Sequence, residues 1–98
     1  MRQGKSKKTE QWDRFSREVA NHIEGYVIQQ YGDYPDPMIE GFDMKDLKTQ
    51  LVRYVGRIGQ NSRGLVEAKR DCLKIAHYAC FLYNYLKDMD NYEEEAKA

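Results

Sequence analysis

The segment from Leu65 to Met89 constrains this chain more than any other. Leu65, Ala68, Cys72, Ile75, Ala79, Leu82 and Leu86 recur at steps of three and four, which lines one face of an α-helix. Leu73, Ala76, Cys80, Phe81 and Tyr83 carry the apolar character well around the cylinder. A helix this apolar is either central to a bundle or shares a second face with another chain. Asp71, Lys74 and His77 nevertheless interrupt its first half, where each needs solvent or a partner.

Two more helices follow from the same periodicity. Between about Glu10 and Tyr31, the stripe is Trp12, Phe15, Val19, His22, Ile23 and Tyr26, with Gly25 a weak point inside it. Gly32 is a natural stop, and the prolines of "YGDYPDPMIEGFD" forbid regular structure after it. Asp43, followed three residues later by Asp46, reads as a helix N-cap with an acidic first turn. That second helix runs to about Ile58, with Met44, Leu47, Leu51, Tyr54, Val55 and Ile58 on its buried side. The glycines, Asn61 and Ser62 of "RIGQNSRG" break the chain again before the third helix.

No segment alternates as a strand does, so the expected fold is an all-α three-helix bundle, open to oligomerisation through the third helix. Short connections make successive helices antiparallel. A single helical domain is expected over residues 10–89, flanked by a basic disordered tail (1–9) and an acidic C-terminal tail (90–98).

The chain has 98 residues, enough to bury one core without disulfide or metal staples. Its 16 basic and 16 acidic side chains cancel, which argues against a general nucleic-acid binder and against long-range attraction to anionic membranes. No apolar run is long enough to span a bilayer, and no apolar signal core follows the early lysines. Cys72 and Cys80 stand about 12 Å apart along one helix, too far for a disulfide between them. They read as small buried residues of a reducing compartment, and cytoplasm is the expected location.

Four groups of residues carry possible chemistry. Arg53 and Arg57 share a face near the end of the second helix, and Arg63 precedes the third. With Lys74, they form a candidate phosphate site beside a helix start, where free N–H groups favour an anion. The same charges also suit the helix dipoles with no ligand at all. Glu67 and Asp71, four residues apart, are candidates to hold Mg²⁺ or to orient a basic partner. His22 and His77 are candidates for proton transfer, although partly buried histidines more often simply pack. Tyr54 and Tyr78, among eight tyrosines, can stack a base or serve a protein interface.

The stretch "LVRYVGRIGQNSRGLVEAKRDCLKIAHYACFL" resembles small phage-encoded helical proteins related to a phage nucleotide kinase. Their pattern is K-Y-x-x-R-x-G, a polar loop, then D-L-x-K-A-x-x-Y. Arg53, Tyr54, Arg57 and Gly59 stand at the first motif, with arginine for lysine. Asp71, Lys74 and Tyr78 stand at the second, with Cys72 for leucine and Ile75 for alanine. A fainter likeness is to all-α nucleoside triphosphate pyrophosphohydrolases of the MazG type, which bind Mg²⁺ through E-x-x-E and E-x-x-D. Glu67 and Asp71 are spaced one residue too far for the latter, and the first helix has no E-x-x-E.

Both resemblances imply phosphorylated nucleotides. The expectation is therefore a nucleotide or similar phosphate ligand held by Arg53, Arg57, Arg63 and Lys74, with Tyr54 or Tyr78 lining a base pocket. The competing expectation is a non-enzymatic protein-interaction or self-association module built on the third helix.

Overall fold

The computed structural model describes residues 5–33, 42–60 and 64–97, with side chains as far as Asp90. The fold is all-α with three helices, and no strand occurs among the described residues. The chain divides into two compact units, Met1–Tyr34 and Pro35–Ala98.

The first unit holds α1, a continuous rod of an α-helix (Lys7–His22), a π-helical turn (Ile23–Val27) and a final α-turn (Ile28–Tyr31). It starts inside the segment expected to be a disordered tail. The cause is local: the Ser6 hydroxyl accepts from the Thr9 backbone N–H at 3.1 Å, and the Lys5 ammonium reaches Asp13 at 2.7 Å. In the π-turn, which contains Gly25, the Ile28 N–H donates to the carbonyl of Ile23. Such a turn admits one extra residue and re-phases the helix. His22 and Val27, five positions apart, are consequently both buried. Trp12 stays more than half exposed, with its ring 5.6 Å from that of Phe15. Gly32 ends the rod as expected, at φ 87°, a conformation that a side chain would disfavour.

The second unit is a helical hairpin of α2 (Met44–Arg57) and α3 (Gly64–Lys97). Asp43 and Asp46 form the expected start of α2 as a reciprocal capping box. The Asp46 N–H donates to Asp43 at 2.9 Å, and the Asp43 N–H donates to Asp46 at 3.0 Å. Ile58 leaves the helix in an extended conformation, and Gly59 turns the chain at φ 89°. Stepping back along α2 from Arg57 to Tyr54 moves the contact forward on α3 from Asp71 to Lys74 and Tyr78. The two helices are therefore antiparallel.

Three expectations are corrected in this unit. Val55 and Ile58 are exposed: Val55 because the inward face of α2 centres on Leu47 and Tyr54 and the next residue along is rotated away by about 100°, and Ile58 because it has left the helix in an extended conformation. Cys72 and Cys80 are also exposed, because α3 meets α2 through Asp71, Lys74 and Tyr78 and the cysteines lie to the other side. Finally, α3 does not stop near Met89 but continues to Lys97, through the segment read as an acidic tail. Glutamate is a good helix former, and neither glycine nor proline follows Gly64.

Candidate functional site

The predicted polar residues converge where α2 ends and α3 begins. The Tyr54 ring is the platform. The Arg57 guanidinium carbon lies 5.5 Å from its centroid, the Lys74 ammonium lies 5.5 Å from it, and the Tyr78 ring packs against it at 5.5 Å. Both cations thus meet one aromatic ring, a result of their placement on facing turns of an antiparallel pair.

Asp71 lies beneath them and is wholly withdrawn from solvent. Arg57 Nη1 is 3.9 Å from its Oδ1, an ion-pair distance rather than a hydrogen bond. One turn earlier, Arg70 donates to Glu67 at 2.8 Å. The cluster therefore assembles three cations around two carboxylates. Burial is the main cause that holds the Lys74 ammonium below the ordinary lysine pKa. Arg57 and Arg70 push the same way, and Asp71 and Glu67 push back.

The remaining candidates fare differently. Arg53 is on the exposed side of α2, and Arg63 lies outside the described residues. Gly64 opens α3 at φ 79°. His22 belongs to the first unit and stacks on Tyr26 at 5.2 Å, with planes 16° apart. His77 belongs to the second unit and packs on Phe81 at 4.3 Å. Glu67 and Asp71 are each engaged by an arginine. Among the described residues, no group of three or more His, Cys, Asp or Glu is arranged to hold a metal ion.

One feature escaped the sequence reading, and a second was foreseen there only as a face of the third helix shared with another chain. The first is the complete burial of Asp71, for which its place between Arg70 and Cys72 gives no signal. The second is an apolar face left open on the hairpin. Val52 is 71% exposed, Leu65 82% and Tyr83 68%, and Val55, Val66, Leu86 and Met89 are exposed as well. The signal for this face was present in the breadth of the α3 stripe. Shallow surface depressions flank it, one around Met44, Lys48 and Val52 and another around Tyr83, Leu86 and Met89.

Comparison with protein-family models, curated proteins and solved structures finds no match for the chain. No helix among the described residues is long and apolar enough to cross a membrane.

Proposed function

We propose that the chain is a protein-interaction module that self-associates through the open apolar face of the α2–α3 hairpin. One observation carries this reading: the imbalance between buried and exposed apolar side chains. Among the described residues, Val27 and Leu47 are the only buried hydrophobics, whereas large apolar residues from Val52 to Met89 face solvent. Exposed large apolar side chains favour association, and a fold with so little core draws stability from a partner. The test is sedimentation equilibrium over a range of concentrations. The native chain dimerises reversibly, and Ala79→Glu, at an exposed position, is monomeric with its helical circular dichroism retained. A native chain that stays monomeric at high micromolar concentration contradicts the proposal.

A second reading is favoured by the Tyr54 platform: a phosphate-bearing ligand, a nucleotide by the resemblance of this stretch, bound by Arg57 and Lys74. An anion there would relieve the mutual repulsion of Arg57, Arg70 and Lys74. A thermal-shift series with nucleoside mono-, di- and triphosphates, with and without Mg²⁺, tests it. The expected result is a ligand-dependent rise that Lys74→Gln abolishes. No rise at millimolar nucleotide rejects it.

A further inference from the structure

The exposed residues of α3 have a register. Leu65, Cys72, Ala79 and Leu86 are seven apart, and all four are exposed. Ala68, Ile75, Leu82 and Met89 each follow one of them by three, and the first three of these are half-buried. This is an a/d heptad seam sustained over four heptads, about 36 Å of helix. Its d side borders the contact with α2, and its a side is open. A seven-residue repeat calls for a second helix crossing at a shallow angle, not for a small ligand.

Resting on the self-association reading above, we propose that the occupant is α3 of a second copy, running antiparallel about a two-fold axis at the level of His77. Side-chain volume selects this orientation. With the axis there, Ile75 faces Ala79 of the second copy, Cys72 faces Leu82, Ala68 faces Leu86, and Leu65 faces Met89. Three of these four layers set a small residue against a large one, and symmetry repeats each layer. Parallel pairing would instead set Ala68, Cys72 and Ala79 each against its own copy, leaving two adjacent thin layers and a third one beyond Ile75. Interiors do not tolerate such voids.

Charge agrees with volume. Lys69 and Asp90 both follow seam residues by four, on the same flank, near opposite ends of the helix. Antiparallel pairing sets this flank against its own copy and brings the end bearing Lys69 toward the end bearing Asp90, whereas parallel pairing holds the two ends apart. The helix dipoles oppose each other in the same arrangement. The formal net charge of zero leaves no repulsion between copies.

Cysteine cross-linking reads the register directly. In Cys80→Ser, only Cys72 remains, and its two copies lie about 15 Å apart in the antiparallel dimer, so an oxidant gives no covalent dimer. Adding Leu82→Cys places two thiols in one layer, and a covalent dimer forms. Should Leu82→Cys lose helicity, Ala68→Cys with Leu86→Cys, in a chain with both native cysteines changed to serine, probes the same register. A covalent dimer of Cys80→Ser alone means parallel pairing and overturns this register while the self-association reading stands. A non-covalent dimer that neither designed pair cross-links overturns it equally. A native chain that is monomeric by sedimentation overturns both.

Discussion

The Arg57 guanidinium lies 3.9 Å from the Asp71 carboxylate, and the two partners are unequally exposed: the arginine side chain keeps 24% of its surface and the aspartate keeps none. The asymmetry predicts unequal mutants. Arg57→Ala removes a countercharge from a carboxylate that cannot reach water, and costs about 3 kcal/mol. Asp71→Asn leaves an arginine that can rehydrate, and costs less. Urea denaturation of both variants checks the order, and equal losses would remove the pair from any account of hairpin stability.

Lys74 gives a pH signature. Its folded pKa lies below the ordinary 10.5, chiefly through burial. Between the folded and unfolded values, the unfolded chain holds the extra proton, so stability contributed by this site rises with pH across that window and is flat beneath it. Lys74→Met removes the rise. Denaturation of native and Lys74→Met chains at about pH 8 and about pH 10 isolates it as a difference, because the other titrating groups cancel. A constant difference between the two chains contradicts the prediction.

Leu47 is the only fully enclosed aliphatic side chain of the hairpin among the described residues. Leu47→Ala should cost about 3 kcal/mol, as transfer and cavity terms add. Lys48→Ala, one residue on and exposed, should change stability by less than about 0.5 kcal/mol. Similar effects at the two positions would mean that α2 is not held by this side chain.

The capping box supplies an acid-sensitive start to α2. The Asp46 backbone N–H is the first cause that holds the Asp43 pKa below its ordinary value of 3.8. A carboxylate with a depressed folded pKa stabilises above its unfolded pKa and loses that effect as pH falls through the folded one. Asp43→Asn keeps an acceptor oxygen at the cap and removes the charge. The protection factors of the first amides of α2 in hydrogen exchange should therefore fall on acidification below the ordinary value in the native chain and not in Asp43→Asn.

The sequence by itself determined that three helices form and where the breaks between them fall, although α1 starts before and α3 runs past the bounds that periodicity marks. Asp43 and Asp46 satisfy donors that the first turn of α2 leaves free, and Gly32 and Gly59 adopt backbone angles that other residues resist. Those are local interactions, legible within a few residues. Tyr54, Arg57, Asp71 and Lys74 meet near one end of the antiparallel pair, which the sequence made legible because few residues separate the two helices, whereas Arg53 lies on the exposed side. Only the tertiary structure decided which flank of each helix faces its neighbour. A stripe of apolar residues fixes a helix's rotation to within a broad arc, and α3 is apolar over more than one arc. Packing on Leu47 and Tyr54 drew Asp71 inward and turned Val55, Cys72 and Ala79 outward. That choice depends on residues far apart in the chain, so periodicity along a single helix could not reveal it.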